Sequence, residues 1–153
     1  MANRKHKGLG LALLFLLLIL PAAAAVSQED GLYVQYRQML MRAQGAGIGM
    51  IGAVLAGQLP FKSHIVAQAN ILKQNAGLIP DAFKKETTAG KTEALPEIWK
   101  NWKEFTAAAL ALEKESAKLA KVAQSGDPDA IGAQMQKVGA ACGGCHKPFR
   151  QAK

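Results

Sequence analysis

Four stretches of the chain repeat apolar residues at intervals of three and four positions, and this periodicity constrains the fold most. The first two cover about 29–55 and 63–83. The third begins near Pro96 and stops at the turn 125–128, and Asp127 is placed to cap a fourth. No stretch alternates apolar and polar residues as a strand would. The sequence therefore predicts an all-α protein that folds as an antiparallel four-helix bundle.

The N-terminal residues have the order of a secretory signal peptide. Basic residues at 4–7 precede an apolar run at 8–20 and then an Ala-x-Ala site that ends at Ala25. The apolar run is shorter than the roughly 20 residues that a membrane span needs. We therefore predict a signal peptide at 1–25 and one bundle domain at 26–153, exported to the periplasm without an integral membrane span.

The charge of the chain is moderately basic. The full chain has 19 basic and 11 acidic residues, a net charge of +8, and the three basic residues of the signal peptide reduce this to +5 for the exported part. The lysines are scattered rather than gathered in a stripe with aromatic residues, so nucleic-acid binding is not expected. A solvated charged face explains them, and a docking surface for an acidic protein remains open.

Two cysteines and a histidine near the C-terminus carry the chemistry. Cys142 and Cys145 are the only cysteines, and His146 follows directly. A thioredoxin-type dithiol would need a βαβ setting, which the helical pattern excludes. A disulfide across three residues closes almost no loop. A structural zinc site needs four ligands, and outside the signal peptide the only other histidine is His64.

The spacing Cys-x-x-Cys-His is instead the attachment site of a c-type haem. Each thiol forms a thioether with one vinyl group, and the histidine becomes an axial ligand of the iron. Gly143 and Gly144 leave room for the porphyrin edge. We therefore predict a bundle with one covalently attached haem c and its iron, held by Cys142, Cys145 and His146.

The first predicted helix offers candidates for the opposite face of the iron. Met41 shares an apolar stripe with Ile48, whereas Met39 lies on a wetter face and Met50 lies nearer the far end. A methionine on an apolar stripe is usually a core residue, so spacing alone leaves Met41 open as a ligand or a packing residue. The glycines within 45–53 are costly in a helix. They indicate either a loosely packed or broken helix, or a flat ring or neighbouring backbone packed against it, and the predicted haem favours the second interpretation.

These residues resemble the class II cytochromes c, which include high-spin cytochromes c′ and low-spin cytochromes c-556. The likeness covers the chain after the signal peptide. It includes "YRQMLM" in the first helix, "GQLPF" after it, "LPEIW" at the start of the third, and "VGAACGGCHKPFR" in the fourth. The resemblance implies thioether bonds at Cys142 and Cys145, with His146 as proximal ligand.

The resemblance also concerns the distal side of the haem. It implies that Met41 occupies the position of the methionine ligand in low-spin relatives, where cytochromes c′ carry an apolar residue. It places Arg37 and Gln38 near a haem propionate and Arg150 near the proximal face. Pro148 departs from a regular last turn, so the last helix is expected to end or kink there.

We expect a periplasmic monohaem cytochrome that carries single electrons between periplasmic redox proteins, with iron ligated by His146 and Met41. The alternative is a high-spin, gas-binding protein of the cytochrome c′ kind with Met41 packed nearby. An enzyme is not expected, because no organised acid or base accompanies the haem motif. The sequence leaves open whether two copies pair as a homodimer.

Overall fold

The computed structural model describes residues 22–152, with side chains from residue 28 onward. The predicted signal peptide lies largely outside the described residues. Six α-helices follow one another along the described chain: α1 Ala22–Leu55, α2 Lys62–Gly77, α3 Ile79–Phe83, α4 Glu97–Lys100, α5 Trp102–Val122 and α6 Pro128–Phe149. A short 3-10 turn, Ala123–Ser125, joins α5 to α6.

The four long helices form the predicted four-helix bundle, so the fold prediction is confirmed. Helix α2 packs against α5 and α1, and α6 packs mainly against α5. Residues 22–152 contain no strand, only an isolated antiparallel bridge between Ala94 and Arg150. The core consists of apolar residues from the helical stripes, including Ile51, Leu72, Ile98, Leu119, Ile131 and Val138. No helix within the described range is long and apolar enough to cross a bilayer.

Three boundaries differ from the sequence prediction. Helix α1 begins at Ala22 rather than near residue 29. The second predicted helix is broken at Leu78, because Pro80 in the next turn has no N–H to donate. The third is interrupted at Asn101, whose backbone leaves helical geometry at φ −120° and ψ 48°.

Helix α6 begins and ends at identifiable residues. Asp127 caps it as predicted, because its carboxylate accepts from the N–H groups of Asp129 and Ala130. The helix does not stop at Pro148 but continues to Phe149, after which Arg150 is extended. The last turn therefore keeps Phe149 buried.

Candidate functional site

A cavity of about 910 Å³ lies between the middle of α1, the C-terminal end of α6 and the loop 84–96 that joins α3 to α4. Its volume is within the range of small-molecule and cofactor sites, about 300–1,000 Å³. The three predicted attachment residues and Met41 all line it. The other lining residues are Arg37, Gln38, Arg42, Gln44, Gly45, Ile48, Phe83, Gly90, Lys91, Thr92, Glu93, Ala94, Ile98, Phe105, Phe149 and Arg150.

The α6 side of the cavity carries the cysteines and the histidine. Cys142 and Cys145 lie one helical turn apart, and both are of intermediate exposure. Burial raises the pKa of the Cys142 thiol, and burial with the neighbouring Cys142 raises the pKa of Cys145 to about 11. Redox dithiols instead have lowered thiol pKa values. This environment therefore disfavours the thioredoxin-type alternative.

His146 lies beside the two thiols. Burial lowers the pKa of its imidazole, and Arg150 lowers it further, while Glu93 acts in the opposite direction. A neutral imidazole retains a nitrogen lone pair, the form in which histidine binds a metal. Within residues 22–152 no group of three or more His, Cys, Asp or Glu residues could hold a metal ion. The zinc alternative therefore lacks a ligand set in the described structure.

The α1 side of the cavity contains Met41. Gly45 and Ile48, one and two turns further along, line the same cavity. Met39 and Met50 do not line it and are 53% and 47% exposed. The structure therefore brings Met41 together with the Cys-x-x-Cys-His residues and leaves the other two candidates on the surface.

The glycines of α1 differ in their surroundings. Gly45 lines the cavity, and a Cβ at Gly47 would lie 3.0 Å from Leu72 Cδ2 on α2. No atom lies within 4 Å of where a Cβ would be at Gly49 or Gly52. A Cβ at Gly45 would likewise meet no atom within 4 Å, because this residue borders the cavity. A close approach thus accounts for Gly47 alone.

Arg37 is almost fully buried, with 3% exposure, and also lines the cavity. Its guanidinium donates to the backbone oxygens of Ala82 (2.8 Å from Nε), Thr87 (2.9 Å from Nη1) and Lys85. Burial lowers its pKa, an effect that Asp30 partly offsets. The resemblance predicted a propionate partner here, but three of its five N–H groups bind the backbone of this protein.

The sequence analysis missed the loop 84–96 as part of the site. The loop separates the second and third predicted helices, and its residues 90–94 form one wall of the cavity. Its 13 residues exceed the 2–8 that usually connect helices in a bundle. That unusual length is the signal from which its role could have been inferred.

Aromatic residues close the inner end of the cavity. Phe149 packs edge-on against Phe105, with ring centroids 5.4 Å apart and an interplanar angle of 87°. The Trp99 indole N–H donates to the Phe83 backbone oxygen at 2.8 Å. Trp99 and Trp102 do not line the cavity and pack against the core.

Comparison with known proteins agrees with this geometry. The sequence pattern of the Cytochrome C′ family matches residues 33–150. Cytochrome c′ of Rhodospirillum rubrum is 32% identical over 137 residues, which cover 88% of this chain and 92% of the relative. Cytochrome c-556 of Agrobacterium tumefaciens strain II Chrys is 31% identical over 121 residues, which cover 78% and 98%.

Solved structures show the same fold. A nitric oxide complex of a cytochrome c prime variant from Alcaligenes xylosoxidans superposes with a TM-score of 0.71 at 30% identity, covering 81% of this chain and 97% of that one. Cytochrome c prime of Shewanella frigidimarina superposes with a TM-score of 0.73 at 27% identity, covering 80% and 97%.

The bundle and its cavity define a monohaem protein of the class II cytochrome c type. Members carry one covalently attached haem c with its iron. The chain belongs to the cytochrome c′ family, whose relatives include proteins named cytochrome c′ and cytochrome c-556.

Proposed function

We propose that this protein is a periplasmic electron carrier in which thioethers at Cys142 and Cys145 hold the haem and His146 and Met41 ligate the iron. The observation that carries the proposal is the position of Met41, which lines the same cavity as the attachment motif. A thioether sulfur as the second axial ligand favours electron transfer, because it raises the reduction potential of the iron and leaves no open position for a gas or a peroxide.

The donor set of the cavity fits such a haem. Two thiols and a half-buried imidazole approach from α6, and apolar side chains such as Ile48 and Phe105 line the interior. Bound haem supplies a one-electron change between ferrous and ferric iron. The residues of the chain hold it, exclude water from it and supply its axial ligands.

We infer that the protein is not an enzyme. A haem enzyme needs an acid or base positioned on an open distal side. His64, the second histidine of the described chain, does not line the cavity and stacks on Phe61 with ring centroids 4.9 Å apart. On the α1 side the cavity is lined by Met41, Gly45 and Ile48 and by four polar residues, none of which is a carboxylic acid or an imidazole: Arg37, Gln38, Arg42 and Gln44.

Redox proteins of the periplasm are the proposed partners. The charge of +5 after removal of residues 1–25 favours encounters with acidic proteins, at rates that fall as salt increases. The exposed lysines and arginines near the cavity include Arg42, Lys91 and Lys147.

A second copy of the chain is also proposed as a partner. Leu32, Tyr36 and Met39 expose apolar surface along α1, and Leu78 extends it beyond α2. Contiguous exposed apolar patches commonly mark protein interfaces. Analytical ultracentrifugation of the native protein and of Tyr36→Glu tests the homodimer. Dimers that the substitution dissociates would support it, and a monomer at all concentrations would exclude it.

Gas binding is the second candidate function. A solved relative in this family is a nitric oxide complex, and loss of a Met41–iron bond would leave an apolar pocket around Ile48. In that case the iron is high-spin and five-coordinate, and Met41 only packs beside it.

Visible absorption of the haem-loaded protein, with and without carbon monoxide, distinguishes the two functions. We expect a low-spin spectrum that carbon monoxide leaves unchanged in the native protein and in Met50→Ala, whose methionine is exposed. Met41→Ala should become high-spin and bind the gas. A native protein that is already high-spin and binds carbon monoxide would favour gas binding.

A further inference from the structure

The two helices that line opposite parts of the cavity have different principal neighbours. Helix α1, which carries Met41, packs mainly against α2 and α3, and α6, which carries His146, packs mainly against α5. Direct packing between α1 and α6 is slight. The separation of the two cavity walls therefore depends on whatever links both helices at this end of the bundle.

The loop 84–96 is bonded to α1 by side chains. Gln38 Nε2 donates to the Lys91 backbone oxygen at 2.7 Å, beside the Arg37 bonds to Lys85 and Thr87. The Lys85 ammonium lies 2.8 Å from an Asp30 carboxylate oxygen. These contacts fix the start and the middle of the loop to α1 at two places about two turns apart, Asp30 and the pair Arg37 and Gln38.

The same loop is bonded to the end of α6 by its backbone. The Leu95 N–H donates to the Phe149 oxygen at 3.1 Å, and the Gln151 N–H donates to the Glu93 oxygen at 2.7 Å. The loop therefore spans the cavity from the helix with Met41 to the helix with His146.

Arg37 is the most firmly held of the α1 anchors. A buried guanidinium is costly unless its donors are hydrogen-bonded, and here carbonyl groups from Ala82 to Thr87 accept them. The planar group also lies over the rings of Phe83 and Trp99, at 4.8 and 5.4 Å from their centroids. Hydrogen bonds in the plane and ring contacts across its face leave it little freedom.

We propose that Arg37, assisted by Gln38, is a positioning residue that holds the loop 84–96 in place and thereby sets the separation between the α1 and α6 walls of the haem cavity. Arg37 lies one turn before Met41, so movement of the loop is transmitted to the turn that presents the thioether. The effect on the iron rests on the proposed ligation by Met41, whereas the effect on the loop does not.

Amide hydrogen exchange in the haem-loaded protein tests the loop directly. The reporters are the N–H groups of Leu95 and Gln151, which lie at the α6 end and far in sequence from the substitution. Arg37→Met should accelerate their exchange about tenfold. Local opening of the loop then no longer has to break the hydrogen bonds of the buried guanidinium. Unchanged exchange at both amides would overturn the proposal.

Three further variants sharpen this test. Arg37→Lys keeps the charge but cannot reach several carbonyls at once, so it should resemble Arg37→Met. Gln38→Leu removes one partly exposed bond, so it should fold and accelerate exchange by roughly twofold to fivefold. Lys73→Met removes an exposed charge of α2 that does not line the cavity, and it should leave exchange unchanged.

The spectrum of the same samples tests the consequence for the iron. We expect a high-spin fraction in Arg37→Met and Arg37→Lys, and a low-spin spectrum in Lys73→Met. If Met41→Ala alters the spectrum but the Arg37 variants accelerate exchange without altering it, the positioning role is wrong. If Met41→Ala leaves the spectrum unchanged, the proposed ligation fails, and exchange alone then decides whether Arg37 holds the loop.

Discussion

Met41 and His146 line one cavity, although they lie on the first and the last helix of the described chain. Both residues can supply an uncharged donor atom to a haem iron in this cavity. If both are axial ligands, replacing one of them should change the reduction potential of the haem. The potential reports the ligand on the iron more directly than stability does.

The reduction potential of a Met41→Leu variant is the first prediction. Leucine keeps the apolar volume and removes the sulfur, so the ferrous form loses its preferred ligand. We expect the potential to fall by roughly 0.1–0.3 V, a fraction of the range of about 0.8 V that axial ligands span. Spectroelectrochemical titration of the haem-loaded protein measures this.

Met50→Leu is the matched control, because its side chain is exposed and does not line the cavity. It should leave the potential within experimental error. A Met41→Leu variant with the native potential would contradict ligation by Met41, since a packing residue of equal volume should alter the potential little.

Covalent attachment is the second prediction. In Cys142→Ala or Cys145→Ala one thioether remains, so haem should stay bound under denaturing conditions. With both substitutions it should be lost, because His146 alone provides no covalent bond. Mass spectrometry of the denatured protein measures the mass of one haem. His64→Ala, outside the cavity, should retain it. Haem retention in the double variant would contradict the assignment.

Local residue patterns were sufficient to predict the bundle. The stripe of α6 and the Asp127 cap could be inferred because each depends on neighbours in sequence. Met41 could be placed on the cavity side for the same reason, since Met39 and Met50 fall on other faces of one helix. The spacing of three and four residues likewise places Cys145 and His146 on the same face of α6 as Cys142.

The loop 84–96 could not be predicted in this way. Its place depends on Arg37 donating to residues 45 and 50 positions away and on a backbone bridge between Ala94 and Arg150. Such contacts carry no periodic signal in the sequence. For the same reason the burial of Arg37 and its bonds to the backbone of residues 82–87 could not be predicted; the resemblance implied only a haem propionate near it.

The glycines of α1 provide the third prediction. Alanine has a helix propensity more favourable than glycine by about 1 kcal/mol, and Gly49→Ala places its methyl in open space. It should therefore raise the free energy of unfolding by up to about 1 kcal/mol. The methyl group of Gly47→Ala would lie 3.0 Å from Leu72 Cδ2. This variant should therefore be stabilised less than Gly49→Ala, or be destabilised. Urea unfolding of both variants measures the difference, and equal stabilisation would contradict the close approach of α2.

Acid sensitivity at Glu115 is the fourth prediction. Its carboxylate accepts from Lys118 at 2.6 Å on α5 and from Gln134 at 2.7 Å on α6. These bonds, Lys118 first and Gln134 second, lower its pKa below the ordinary 4.5. A lowered pKa means that ionised Glu115 stabilises the fold above the unfolded value, and this contribution is lost as the pH falls through the folded value.

Glu115→Gln tests this through the free energy of urea unfolding between pH 7 and pH 3. The native protein should be more stable than the variant at pH 7, and the difference should shrink as the pH falls. Gln134→Leu removes one of the two donors, so its own loss of stability with acid should be smaller than in the native protein. The difference in free energy of unfolding between the native protein and Glu115→Gln must change with pH if the charge of Glu115 stabilises the contact between α5 and α6, because protonation removes that charge. A difference that stays constant between pH 7 and pH 3 would contradict this role.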